Sequence, residues 1–193
     1  MIATKKLLIV GAGGHGHCVA EVASESGVFE VIGFLDDAFT TQKTAHAYPL
    51  IGKVADFKKC LGKFDSIFVA IGNNVLRERL SSEFIKNDLT IENIIHPSAV
   101  VSSQAKMGWG CVVFAGAVIG VRAALGNGVI VNSGAVIEHD ASIHDFGHMG
   151  INTSLASASV LGHGAWMQPG SILGHGSHLP AGAVLSPGAV HGS

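Results

Sequence analysis

Charge is scarce in this chain. Only 13% of its 193 residues are Asp, Glu, Lys or Arg, and the formal net charge is −2. Such a balance leaves no electrostatic footprint for nucleic acid or an anionic membrane surface, so neither is expected as a partner. Cysteine is scarce too. Cys18, Cys60 and Cys111 are odd in number and carry no metal-ligand spacing. This argues against a disulfide framework and a zinc cluster, and fits a reducing cytoplasm. The apolar run near the N-terminus is short: Lys5 and Lys6 precede LLIV, which gives way to GAGG. That is too little for a signal peptide or a membrane span, and reads as a strand.

Glycine is abundant, with 26 residues, and the second half of the chain is periodic. Every sixth residue from Val101 to Leu185 is aliphatic or Met: Val101, Met107, Val113, Ile119, Leu125 and so on, fifteen positions without a break. The residue two before each is small almost throughout, as at Ala117, Ala135 and Ala141. The residue just after is often glycine, as at Gly108, Gly120, Gly126, Gly150, Gly162 and Gly174. A period of six fits neither an α-helix nor a heptad, but it returns to the same face of a strand. It is the hexapeptide signature of a parallel β-helix. The large residue fills the interior and the small one fits the corner. Coils must stack to bury their ends, so residues 18 apart lie above one another. Sparse charge on the flat faces points to burial of some of them against other subunits.

The first 95 residues read differently. Apolar runs at 6–10, 31–35, 66–71 and 89–95 are expected strands. Helices are expected at 15–25, 54–61 and from Asn74, as its cap, to about Asn87; 38–50 is expected to be a loop. Alternating strands and helices predict a small parallel α/β domain of about four strands. The loop GAGGHG at 11–16 fits G-x-G-x-x-G, follows a strand, opens a helix and has Asp36-Asp37 about twenty residues on. A glycine turn at a helix N-terminus suits a phosphate. The domain is about half a dinucleotide fold, and no dehydrogenase-like substrate domain follows. A nucleotide-sugar is therefore favoured over NAD, or over a purely structural turn.

Eleven histidines are many. His15 lies in the glycine loop. His139-Asp140 falls two residues after Ile137, at a corner of the coil, with Ser157 and His175 stacked 18 and 36 residues on. A base beside a carboxylate suits proton removal from an attacking amine or hydroxyl. His144, His163, His175, His178 and His191 are expected to be solvated or interfacial. His175-x-x-His178 would point to different faces, so no metal is expected.

Five spaced segments resemble one family: GAGGHG at 11–16, GFLDD at 33–37, AIGNN at 70–74, IHPS at 95–98 and VNSGAVIEHD at 131–140. In these the chain is similar to the NeuD/PglD-like sugar O- and N-acetyltransferases, which are left-handed β-helix, hexapeptide-repeat acyltransferases. The resemblance implies an α/β nucleotide-sugar domain at 1–96 and a left-handed β-helix at 97–193. It also implies a homotrimer, acetyl-CoA as co-substrate and a nucleotide-linked amino-sugar as acceptor. Carried over, Gly13, Gly14 and His15 hold the sugar-nucleotide. Asp36 and Asp37 take its base or ribose, and Gly72 lines the same pocket. His139 is the general base, supported by Asp140. Asn132 faces the sugar, and His148 lies near the acetyl thioester. The expected reaction is N-acetylation at the sugar C4 amine; O-acetylation of a hydroxyl, or a non-catalytic trimeric scaffold, are the alternatives. The chain departs from the family pattern in closing on VHGS at 190–193 rather than a Gly-x-Pro-Ala-Lys type tail. Pro169, Pro180 and Pro187 also remove amide donors from the last coils.

Overall fold

The computed structural model describes residues 4–40, 44–45 and 47–192. The chain divides into two compact units, Met1–Ile94 and Ile95–Ser193.

In the first unit, β1 (Lys5–Val10), β2 (Phe29–Leu35), β3 (Thr44–Ala45), β4 (Tyr48–Gly52) and β5 (Ser66–Val69) form one sheet in the order β3-β4-β2-β1-β5. All neighbours are parallel except β3 with β4. Leu7, Leu8, Ile9 and Val10 are fully buried, as a strand covered on both faces requires. Helix α1 (Gly14–Glu25) buries Val19, Val22 and Ala23, and α2 (Asn74–Lys86) buries Leu80 and Phe84.

The sheet has five strands rather than four. Of the expected loop at 38–50, residues 41–43 and 46 lie outside the described residues, but Tyr48–Gly52 is a strand. Leu50 and Gly52 face inward while Pro49 and Ile51 do not. The neighbouring Gly33 has φ +148, and a Cβ there would stand 2.7 Å from the Pro49 carbonyl oxygen. A proline in a short run hides this strand from a pattern search. The cap of α2 is Asn73, whose Oδ1 accepts the Leu76 N–H at 3.0 Å, and Asn74 is already helical. The strand expected at 89–95 is a single bridge from Ile91 to Ile67, followed by the two-residue strand Ile94–Ile95. At that bridge the Thr90 carbonyl accepts the Ile67 N–H at 2.9 Å.

The second unit is a left-handed parallel β-helix. Two-residue strands recur every six residues and stack in three parallel sheets of six, five and six strands, the first six-stranded sheet running from Val100–Val101 to Val190–His191. The register is 18 residues, as in Val118↔Val136 and Ile119↔Ile137. The periodic large residues and the small ones two before them together form the core, among them Ala135, Ile137, Ala141 and Ile143. At Thr153, Ser159 and Ser171 the small residue carries a hydroxyl that is buried and tied to the carbonyl three residues back, as with Thr153 to Gly150 at 2.9 Å. The glycines just after the large residues permit close stacking. A Cβ on Gly120 would lie 2.9 Å from the His139 nitrogen and from the Ile137 oxygen.

A second glycine rule appears three residues after each large position from Met107 on, where the corner backbone is left-handed. Most of these positions are glycine, as at Gly116, Gly128, Gly134 and Gly164 with φ between 61° and 69°, but Arg122, Asp140, Phe146, Asn152 and Ala158 hold it with φ between 53° and 61°. Positive φ is sterically costly for residues with a Cβ, and Asp tolerates it better than Arg.

Candidate active site

In the first unit, the sequence loop at 11–16 becomes the turn between β1 and α1. Two of its glycines are required by the fold. A Cβ on Gly16 would lie 2.0 Å from the Gly11 oxygen, and Gly11 itself has φ +100 against the Ala70 carbonyl. Gly13 and Gly14 are not: a Cβ on either meets nothing within 4 Å, and Gly13 has φ −79. Their smallness leaves room for something outside the protein to approach the backbone. Gly13 caps α1 with no side-chain hydrogen bond, so the first-turn N–H groups face an open position suited to an anion.

His15 follows in the first turn of α1. Burial, and then the cation of Arg77, push its imidazole down to about 4, so it is neutral at ordinary pH. Arg77 is itself buried and donates to the carbonyls of Ile71, at 3.1 Å, and Gly72, at 3.4 Å. Gly72 is thus engaged through its backbone. Asp36 braces the loop: its Oδ2 accepts the Ala12 N–H at 2.8 Å, and its Oδ1 accepts that of Ala38 at 2.9 Å. Asp37 accepts the Val54 N–H at 3.2 Å. Carboxylate oxygens retain further lone pairs, and both aspartates line a cavity of ≈ 270 Å³ with Gly11, Ile71, Leu76 and Arg79. Whole drug-sized ligands usually occupy about 300–1,000 Å³, so this volume suits a fragment such as a base or ribose. Arg79 was not singled out in the sequence; its only signal is its place one helical turn after Val75, near the start of α2.

In the coil, His139 and Asp140 sit at the corner after the strand Val136–Ile137. His139 Nδ1 is 2.8 Å from Asp140 Oδ2. One coil earlier, Arg122 clamps the same carboxylate in two bonds, Nε to Oδ1 at 2.6 Å and Nη2 to Oδ2 at 2.7 Å. The Arg122 hydrogen bonds, and then the His139 one, hold the Asp140 carboxyl far below the usual carboxylate range. An ionised carboxylate only accepts, so Nδ1 carries the proton and the lone pair is on Nε2. That is the tautomer of a base whose orientation is set by a carboxylate. Further along the edge, Ser157 Oγ lies 2.8 Å from His175 Nδ1, as the 18-residue stacking requires. Arg122 was missed in the sequence, although the same spacing, read backwards from Asp140, leads to it.

Asn132 and His148 come together elsewhere. Asn132 Nδ2 donates to the Met149 carbonyl at 2.8 Å and lies 3.0 Å from His148 Nε2. An amide nitrogen only donates, so His148 Nε2 is the acceptor. The His148 ring stacks on Trp166, one coil on, at 5.4 Å and 21°. Within one chain this pair and His139 occupy different corners of the coil. The flat face between those corners carries Val100, Val118, Val136, Ser154, Ile172 and Val190 outward. Val100, Ile172 and Val190 are 63%, 40% and 67% exposed. A shallow groove of ≈ 560 Å³ lies one strand beyond His139, against Ser142, His144, Asp145 and His163. Among the described residues no three His, Cys, Asp or Glu side chains are placed to share a metal ion, and no helix is long and apolar enough to cross a membrane.

Known proteins share this fold. Residues 6–84 match the PglD N-terminal domain. UDP-N-acetylbacillosamine N-acetyltransferase of Bacillus subtilis (strain 168) is 34% identical over 115 residues, 58% of this chain. The match spans only about half of that relative, 52% of its length. The acetyltransferase domain of PglB from Neisseria gonorrhoeae FA1090, in complex with acetyl coenzyme A, has a TM-score of 0.91 at 32% identity, covering 96% of this chain and 90% of that one. A histidine-to-alanine mutant of GDP-perosamine N-acetyltransferase from Caulobacter crescentus, in complex with CoA and GDP-perosamine, also has a TM-score of 0.91, at 30% identity over 99% of this chain and 89% of that one. Fold and glycine loop together define a hexapeptide-repeat acyltransferase with a Rossmann-like N-terminal unit. The chain belongs to the NeuD/PglD-like family of sugar O- and N-acetyltransferases.

Proposed function

We propose that this protein transfers acetyl from acetyl-CoA to the C4 amine of a nucleotide-linked 4-amino-4,6-dideoxy sugar. The observation that carries the reading is the corner at His139: an imidazole whose Nδ1–H donates to an ionised carboxylate, with its Nε2 lone pair unengaged among the described residues. Nε2 takes a proton from the amine as the nitrogen attacks the thioester carbonyl, and coenzyme A leaves as the thiol. Direct transfer of this kind needs no acyl-enzyme. The similar proteins from Bacillus and Caulobacter are named for amino-sugar N-acetylation, which favours the amine over a hydroxyl acceptor.

The first unit, expected from the sequence at 1–96 and compact over Met1–Ile94, is the nucleotide-sugar module in this proposal. Gly13, Gly14 and the open first turn of α1 take the diphosphate, with neutral His15 beside it. Asp36, Asp37 and the cavity they line take the base or ribose, with Gly72 at its margin. In the coil, residues 97–193, Asn132 faces the sugar and His148 stands by the thioester. His148 holds its proton on Nδ1, so an oxyanion there is met by that nitrogen or by corner backbone N–H groups. The exposed aliphatic face between the Asn132 and His139 corners supports a trimer, in which each chain covers that face of another. The protein is assigned to the cytoplasm.

The test offers labelled acetyl-CoA with a UDP-4-amino-4,6-dideoxy sugar and, in parallel, its 4-hydroxy counterpart. Transfer to the amine is expected, lost in His139→Ala while UDP still raises the melting temperature. Transfer confined to the hydroxyl makes the protein an O-acetyltransferase. Full activity in His139→Ala removes the base assignment.

A further inference from the structure

The inference concerns Arg122 and rests on the reading of His139 as the base. Of the left-handed corner positions in the coil, most are glycine, and glycine is what that backbone favours. Position 122 holds an arginine there, with φ 58. Its side chain reaches one coil along the edge to the carboxylate at the next such position, Asp140, which is also non-glycine. Phe146, Asn152 and Ala158 occupy the same corner position with φ between 53° and 58°, so a side chain there is tolerated but not required. What sets position 122 apart is where its side chain ends, in a two-bond clamp on the carboxylate that His139 also touches.

We propose that Arg122 is a positioning residue for His139: it locks the Asp140 carboxylate where it accepts the Nδ1–H hydrogen bond, and offsets the negative charge that the carboxylate places against the imidazole. Both halves follow from geometry. The guanidinium makes two parallel bonds to the two carboxylate oxygens, a fixed fork that a point charge cannot reproduce. Asp140 Oδ2 is shared between Arg122 and His139, so turning the carboxylate toward one partner reorients it for the other. An uncompensated carboxylate against Nδ1 favours the imidazolium, which cannot accept a proton. Arg122 reduces that effect without removing the acceptor. The other charged group at His139 is Glu138, whose Oε2 accepts the His139 backbone N–H at 3.4 Å. It adds negative charge on the same side and makes the compensating cation more needed. Further along the edge stand Ser157 and His175, already bonded to each other.

The experiment is a ring titration of His139 by NMR on the full chain, with the signal assigned by its loss in His139→Gln, alongside the pH profile of kcat/KM with acetyl-CoA and the UDP-4-amino sugar. In Arg122→Gln the titration midpoint and the acid limb of the profile are expected to rise together by ~0.5–1 pH unit. Arg122→Lys is expected to keep both near the wild-type position while lowering kcat, because charge is retained and the fork is not. Arg122→Gly is expected to melt no lower than wild type. A midpoint unmoved or lowered in Arg122→Gln overturns the proposal, as does a profile in Arg122→Lys indistinguishable from that of Arg122→Gln. Should the wild type acetylate no acceptor, the transferase reading fails while the ring titration still decides the role of Arg122.

Discussion

Acid should weaken this fold through His15, and by a magnitude the structure sets. The imidazole is half-buried at the start of α1, and desolvation, with the Arg77 cation behind it, lowers its pKa from 6.5 to about 4. The unfolded chain exposes the same ring at its ordinary value. Between those two values the unfolded state binds a proton that the folded state refuses, so stability rises with pH across the window. The contribution is complete above 6.5, is lost as pH falls toward 4, and changes no further below. At about 1.4 kcal/mol per pH unit, the gap corresponds to about 3 kcal/mol. Urea denaturation followed by circular dichroism at several pH values measures it. The other histidines are common to wild type and His15→Gln, so the difference between the two curves isolates this ring. Wild type should lose about 3 kcal/mol more than the variant between pH 6.5 and 4. Parallel curves would refute the assignment of a buried, neutral His15 beside Arg77.

Three further outcomes separate fold from site. Gly16→Ala places a Cβ 2.0 Å from the Gly11 oxygen and should cost at least ~1–3 kcal/mol, whereas Gly14→Ala should leave the melting temperature unchanged and weaken the stabilisation given by UDP. In the coil, Gly120→Ala brings a Cβ to 2.9 Å from the His139 nitrogen; we expect a stability loss of ~1–3 kcal/mol together with reduced turnover, and normal activity would show that the corner yields harmlessly. Removing the α2 cap with Asn73→Ala deletes the bond to the Leu76 N–H and should cost about 1 kcal/mol in denaturant titration.

The coil was legible in the sequence because its period is a local rule repeated without interruption: Ile119, Ile137 and Leu155 each declare the same face. What escaped was information that lies between repeats. Ser157 and His175 were found by counting 18 forward from His139, but Arg122 needs the same count backward from Asp140, and its meaning depends on a left-handed corner that only coordinates reveal. In the α/β unit the glycine loop was evident, yet nothing in its pattern separates Gly11 and Gly16, which the backbone requires, from Gly13 and Gly14, which it does not. Strand Tyr48–Gly52 was hidden because it is short, contains Pro49 and owes its place to Gly33 on another strand. The roles expected of Asn132 and His148 came from resemblance; their mutual contact links residues 16 apart, because His148 stacks in register with Ile130, two residues before Asn132.

The 18-residue register also makes the edge of the coil a ruler. Each coil advances the axis by about one inter-strand spacing, 4.7–4.9 Å, and returns every residue to the edge it left. Gain or loss of 18 residues beyond His139 would therefore lengthen or shorten the coil in a whole step while leaving the Arg122–Asp140–His139 corner untouched. Gain or loss of six would keep the core intact but rotate everything downstream by one face, separating Ser157 and His175 from the edge that bears His139. The core tolerates both changes equally, since its rule repeats every six residues; the stacking of Ser157 and His175 on the edge of His139 survives only the first. Length variation that keeps an edge in line is thus counted in eighteens, whereas the core counts in sixes.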